Sequence, residues 1–253
     1  MTRRSGRAAP DMVPLDPRLV LGAYSVGAFP MADARDARSI YWVEPRERAI
    51  LPLDGFHLSK SLRKTLAADR FRITADQSFP AVIQLCAEAA KDRPDTWING
   101  QIEHVYLELH AMGFAHSIEV WDGDRLVGGL YGLALGRAFF GESMVSRARD
   151  ASKVAMAALV ARLRVGGFTL LDCQFMTDHL ASLGAIEISR RNYLTLLSGA
   201  VSDVTGAGAT AAAGDFFALD RGVAAPSAPL APPLTEFGPP SGKVIAQLLV
   251  HTS

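Results

Sequence analysis

The residues 170–185 read LLDCQFMTDHLASLGA, and within them an apolar run ending at Leu171 meets an acid, Asp172, and then an amide, Gln174. On a strand, residues two apart face the same side, so this spacing predicts that both point into one cleft. An acid there can orient an amine nucleophile or take its proton, by itself or relayed through the amide. The amide can hydrogen-bond a carbonyl or a developing oxyanion. A turn-capping acid beside a surface amide fits the same spacing, and spacing alone does not choose between the two.

A second cluster lies in FFGESMVSR, residues 139–147. Glu142 and Ser143 are expected where a strand gives way to a loop leading into a helix. Glu142 could hold a substrate amine, or could be a turn residue paired with Arg147. Ser143 lacks the Gly-x-Ser-x-Gly elbow and shows no obvious His partner, which argues against a serine hydrolase. The glycines of VGGLYGLALG, residues 127–136, lie inside strand-like runs and open no helix, so bulges or a tight sheet bend explain them better than a dinucleotide loop. Lys60, Arg63 and Lys64 fall at i, i+3 and i+4 of a short helical pattern and give it one cationic face; such a face can hold phosphates or can simply be solvated. Trp42 and Trp97, beside charged residues in loop-like contexts, could stack on a base or close a core edge. His104, His110, His116 and His179 show no zinc-like spacing, so no metal site is expected.

These residues must be held by a real fold. The chain has 253 residues, 49% of them hydrophobic and 21% charged, which fits a globular protein with a sizeable core. The formal net charge is zero, so any nucleic-acid contact must come from a local basic patch and no general affinity for DNA is expected. Cys86 and Cys173 make neither a disulfide framework nor a metal motif, which suits a reducing compartment. The basic N-terminus lacks a following apolar stretch of the secretory kind, and no uncharged apolar run reaches the ~18 residues of a membrane span. A cytoplasmic monomer with no membrane contact is the expectation.

Local patterns predict the elements. Asp16–Met31 opens with an N-cap acid and a proline, and its helix stops before Pro30. Ile40–Leu53 reads as two short strands around a proline-centred turn. Leu58–Leu66 reads as a basic helix with Ser59 as cap. A strand at Phe71–Thr74 precedes helical spacings at Phe79–Ala90 and Gly100–Met112. Three antiparallel strands fill His116–Val145, the first turn being Asp122-Gly123. A long helix, Ala151–Val165, ends at Gly166-Gly167. The strand Phe168–Asp172 and helices near Thr177–Leu183 and Arg190–Ser198 follow. Beyond Gly199 the chain is rich in Ala, Gly and Pro, and disorder or a loosely docked strap is expected; KVIAQLLV near the end could dock as a strand or a helix.

Taken in order, the strings GAYSVGAFPMAD, YWVEPRERAILPL, HLSKSLRKTL, TWINGQIEHVYLELHAMGFAHSIEVW, LVGGLYGLALGRAFFGESMVSRARDASKVA and LLDCQFMTDHLASLGAIEISRRNYL, from about Gly22 to Leu194, resemble the bacterial leucyl/phenylalanyl-tRNA–protein transferases. The resemblance implies an α+β fold: a small N-terminal domain beside a C-terminal domain like the GCN5-related N-acetyltransferases, with a mostly antiparallel twisted sheet. The expected division is a flexible arm over 1–15, the small domain over 16–68, the acyltransferase-like domain over 69–199, and the tail over 200–253. That tail departs from the family, which usually ends soon after the Tyr-Leu string. The implied reaction transfers leucine or phenylalanine, less often methionine, from charged tRNA to the N-terminal Arg or Lys of a protein, and marks that protein for N-degron proteolysis. The tRNA ester drives the reaction, so no cofactor is implied.

The resemblance also assigns roles. Asp172 and Gln174 match the proposed catalytic pair, although positioning at the 3′-adenosine is a competing account. Glu142 and Ser143 match the substrate site, with Tyr106 nearby in the matching helix. Trp42 and Trp97 match aromatics lining the 3′-adenosine region. Phe139, Leu130, Met156, Leu159 and Leu163 match the amino-acid pocket, with aliphatic residues where some relatives carry Met or Phe. Lys60, Arg63 and Lys64 match the basic cluster at the acceptor stem. Two other functions compete. A CoA-dependent N-acetyltransferase would need a glycine-bearing pyrophosphate turn before the long helix, where this chain has SRARDASKVA. A non-catalytic RNA- or degron-binding module would not need Asp172, Gln174 and Glu142 together.

Overall fold

The computed structural model describes residues 14–88, 95–201, 213–222 and 239–250. The expected arm is outside these residues apart from its last two, as are the end of the helix expected over Phe79–Ala90 and most of the proline-rich tail.

Side-chain caps start four of the described helices, those at Asp16 and Ser59 as expected. In α1 (Pro17–Ser25) the Asp16 side chain accepts from the Arg18 amide at 2.8 Å, with proline opening the first turn. Ser59 caps α2 (Lys60–Ala67), Asn99 caps α4 (Gly100–Ala111) and Thr177 caps α6 (Asp178–Ser182). Helix α3 covers Phe79–Ala87, α5 covers Ala151–Val165, and α7 covers Arg190–Val201.

The fold is mixed α+β, with a small N-terminal part and a large, mostly antiparallel sheet. Strands β1 (Phe29–Met31) and β2 (Tyr41–Val43) form a two-stranded sheet, so Trp42 lies on a strand rather than a loop. The other strands are β3 (Glu47–Ile50), β4 (Arg72–Ala75), β5 (Ala115–Asp122), β6 (Arg125–Leu135), β7 (Ala138–Ser146), β8 (Leu170–Gln174) and β9 (Ile186–Ser189). They build one sheet in the order β4-β5-β6-β7-β8-β3-β9. Only β7 and β8 are parallel, joined by the crossover helix α5. The two strands expected around the Pro45 turn therefore do form, but in different sheets. Strand β1 and β9 carried too short an apolar pattern to be read from sequence.

Residues alternate between the two faces of the sheet. Leu130, Phe139 and Leu171 face α5, whereas Tyr131, Phe140 and Leu170 face α3, α4 and α7. Gly128 lets α5 approach the sheet: a Cβ there would stand 2.6 Å from that of Ala151. At Gly132 a Cβ would stand 2.2 Å from the Phe140 carbonyl oxygen, so that position admits glycine alone.

Helix α5 is buried almost all round, which requires cover on its outer side as well as the sheet. Helix α2 supplies part of that cover. The rest comes from the tail: α8 (Gly242–Val250) packs on α2 and α5, and residues 214–222 close one end of the core. Phe216 lies flat between His116, at 4.2 Å, and Phe139, at 5.7 Å. Buried Arg162 donates to the Phe216 carbonyl at 2.9 Å and forks onto the Asp220 carboxylate.

Candidate active site

Strands β7 and β8 run paired only as far as Phe140 and Asp172. Just past that point β7 carries a bulge: Ser143 faces Tyr131 and Gly141 faces Gly132, which leaves Glu142 as the extra residue. A bulge re-aims the side chain it carries. A cavity of about 420 Å³ opens where the pairing ends, with Gly141, Glu142 and Ser143 on one wall and Cys173, Gln174 and Phe175 on the other. Leu130, Met156 and Leu159 line it from the sheet and α5; Phe29, Met31 and Trp97 line it from the N-terminal side.

Asp172 and Gln174 do not open into this cavity together, as the strand spacing predicted. Gln174 ends β8 with φ of +57°, in the left-handed region, and reaches the cavity. Asp172 is fully buried and does not line it. The reason is Arg48 of β3, which enters beneath the strand and claims the carboxylate. Its Nε lies 2.9 Å from Oδ1 and its Nη2 lies 2.6 Å from Oδ2. Tyr193 of α7 donates its hydroxyl to Oδ2 at 2.8 Å, and the Gln174 amide donates to Oδ1 at 2.9 Å. The guanidinium lies between the rings of Phe29 and Tyr193, at 4.6 and 4.5 Å. Burial works against the Arg48 charge, but its bonds to Asp172 outweigh that and raise its pKa further. Burial, then the Asp172 charge, pushes the Tyr193 hydroxyl well up. This is a closed ion pair that fixes the backbone at Gln174.

Glu142 is the carboxylate that faces the cavity. Its Oε1 accepts from the Tyr24 hydroxyl at 2.7 Å and from the Gln174 side-chain amide at 3.2 Å. Tyr24 in turn meets the Tyr106 hydroxyl at 2.5 Å. Burial raises the Glu142 carboxyl to about 7, against the hydrogen bonds from Tyr24 and Tyr106 that favour its charged form. Both tyrosines, buried beside it, are held well above their usual range. Cys173, between the two named residues, is pushed up by burial and stays a thiol. Burial and nearby Lys153 lower the pKa of His179, across the cavity.

The other expected site residues divide. Ser143, Trp97, Leu130, Met156 and Leu159 line the cavity, and Tyr106 supports Glu142 from behind. Phe139 and Leu163 lie in the core behind the wall rather than on it. Trp42 is half-exposed on β2, opposite Pro30. Lys60, Arg63 and Lys64 are exposed on α2. Ser143 sits within β7, which runs on to Ser146, and Arg147 pairs with Glu88 rather than Glu142. Arg48, Tyr193 and Tyr24 were not found from sequence. Arg48 stands at the end of the charged string EPRER, where a solvated residue is the ordinary reading, and Tyr24 and Tyr193 sit in ordinary helical patterns. Among the described residues, no three His, Cys, Asp or Glu side chains converge as a metal site, and no helix is long and apolar enough to cross a membrane.

Comparison with known proteins decides the family. The family model described as leucyl/phenylalanyl-tRNA protein transferase matches residues 50–198, and the model of its N-terminal domain matches residues 14–46. The chain belongs to the leucyl/phenylalanyl-tRNA protein transferase family. It is thus an aminoacyltransferase by family. A relative from Rhizorhabdus wittichii named leucyl/phenylalanyl-tRNA–protein transferase is 58% identical over 253 residues, 96% of this chain and 100% of the relative. One of the same name from Zymomonas mobilis is 63% identical over 188 residues, 74% of this chain and 70% of the relative. Another from Paramagnetospirillum magneticum is 57% identical over 192 residues, 76% and 92% of the two chains. Most residues lining the cavity between β7 and β8 fall within the larger model's match, and Phe29 and Met31 fall within that of the N-terminal domain.

Proposed function

We propose that this chain moves leucine or phenylalanine, less often methionine, from aminoacyl-tRNA onto the N-terminal Arg or Lys of a protein, tagging it for N-degron proteolysis. The observation that carries the reading is the cavity: its depth is apolar, from Leu130, Met156 and Leu159, and its wall carries Glu142 and Gln174. The apolar depth suits an unbranched-at-β side chain, and a methylene more or less changes binding by only about 1–3 kcal/mol, so discrimination among Leu, Phe and Met is graded. Trp97 gives the 3′-adenosine a face to stack on, with the exposed Phe175 ring, packed edge-on to Phe29, beside it. Lys60, Arg63 and Lys64 offer cations to the acceptor stem. Gln174 is placed to hydrogen-bond the carbonyl oxygen under attack. Asp172 acts through Gln174 by fixing its backbone. The reaction needs no cofactor, because the ester supplies the driving force, and the enzyme works as a cytoplasmic monomer.

The test is transfer of labelled leucine from charged tRNA to a peptide with N-terminal Arg, with acetyl-CoA as a control donor. Product that requires the charged tRNA supports the reading. A folded protein that transfers nothing from tRNA, or that acetylates the peptide instead, overturns it.

A further inference from the structure

We propose that Glu142 carries the proton of the transfer reaction, taking it from the attacking α-amine nitrogen and returning it to the departing 3′-oxygen. The inference rests on the aminoacyl-transfer reading above. The acceptor amine enters neutral, having left its first proton to solvent. Its nitrogen then bonds to the aminoacyl carbonyl carbon and must lose a second proton to become an amide. The bond from that carbon to the 3′-oxygen breaks, and the oxygen must gain a proton to leave as a hydroxyl. One carboxylate that receives and then donates balances both needs.

Geometry selects Glu142 over Asp172. Both Asp172 oxygens are occupied by Arg48, Tyr193 and the Gln174 amide, and the carboxylate is fully buried behind the cavity wall. Protonating it would strand the buried Arg48 charge. Glu142 lies on the wall, its side chain aimed there by the β7 bulge. Its donors Tyr24 and Gln174 are neutral, and no cation pairs with it among the described residues. The charged and titratable groups that act on it most come from four elements, Tyr24 on α1, Tyr106 on α4, Asp172 on β8 and Arg48 on β3, while Cys173 and His179 line the same cavity. Asp172 disfavours the Glu142 charge, whereas the two tyrosines and Arg48 favour it. The balance, dominated by burial, leaves the carboxyl near 7, close to the roughly 7.7–8.0 of an α-amine. That match allows transfer in both directions. The Tyr106–Tyr24 pair behind it adjusts its hydrogen bonds as the proton comes and goes.

The experiment measures kcat of leucine transfer to the Arg-peptide from pH 5.5 to 8.5 for wild type, Glu142→Gln and Tyr24→Phe. Dividing wild type by Glu142→Gln cancels the titrations of donor and acceptor amines. The glutamine variant is expected to lose about 10²–10⁴ in kcat at pH 8. The ratio should rise about tenfold from pH 6 to pH 8 as a group near 7 ionises. Tyr24→Phe removes a donor that favours the anion, so its acidic limb should move to higher pH. If the glutamine variant is too slow to follow, the displacement of the Tyr24→Phe limb decides. A ratio flat with pH, a loss confined to KM, or an unmoved Tyr24→Phe limb overturns the proposal and leaves Glu142 as a seat for the substrate amine. Wild type that fails to transfer at any pH overturns the transferase reading itself, a separate result.

Discussion

Replacing Asp172 with alanine should unfold the protein more readily as well as slow it, and the size of the stability loss follows from the burial. The Asp172 and Arg48 side chains are 0% and 2% exposed. Arg48 directs its Nε and Nη2 to the carboxylate and its Nη1 to the Gly27 carbonyl at 3.1 Å. Removing one partner of such a pair leaves a buried charge without compensation and costs about 3–5 kcal/mol. For a chain of this size each kcal/mol moves Tm by about 2–4 °C, so Asp172→Ala should melt about 6–20 °C lower. Urea unfolding at pH 7 checks the free energy and calorimetry checks the melting point. The double variant Asp172→Leu with Arg48→Met removes both charges and should recover most of the stability, because an apolar pair of similar volume is often neutral or better. Activity should stay low in both, because Gln174 has lost the acceptor of its amide N–H and with it the restraint on its left-handed backbone. Asp172→Ala within about 1 kcal/mol of wild type yet inactive would refute this reasoning and return the acid to the chemistry.

Three further outcomes are expected. The Glu142 carboxyl rises from 4.5 to about 7 on folding, so between those values the folded chain holds a proton that the unfolded chain has lost. Stability from this group therefore falls as pH rises through that window, by at most about 3 kcal/mol; Glu142→Gln should match wild type near pH 4 and exceed it in urea unfolding at pH 8. Phe216→Ala should cost about 3–5 kcal/mol by the same assay, since the ring is buried between His116 and Phe139; a loss under 1 kcal/mol would mean that residues 214–222 do not belong to the core. Alanine at Lys60, Arg63 and Lys64 together should lower the salt dependence of tRNA binding by about two to three units of log–log slope; an unchanged slope would take the acceptor stem off α2.

Local patterns determined much of this fold. Helix α5 begins at Ala151 and ends at Val165, as its composition and the Gly-Gly stop dictate. The turn at Gly123, the Ser59 cap and the three-strand meander follow from turn and cap chemistry among near neighbours. Composition left no clue about the tail's role, since α5 carries Lys153, Arg162 and Arg164 and yet is buried on nearly every side in the fold. It could not say that Phe216 and α8 cover the helix, because those residues lie 50 or more positions further on. The names of the site residues were likewise legible in ESM and DCQ, but their division of labour was not. Whether a carboxylate is paired, exposed or forced toward neutrality depends on what surrounds it in space. Arg48 reaches Asp172 across 124 positions of chain, and Tyr24 reaches Glu142 across 118. Two acids that look equivalent in sequence are thereby separated, one locked in an ion pair beneath the strand and the other left on the cavity wall near the pKa of an amine. Only the placement of β3, α1 and α7 around β7 and β8 decides that, because desolvation and pairing act through distance in the folded state and not along the chain.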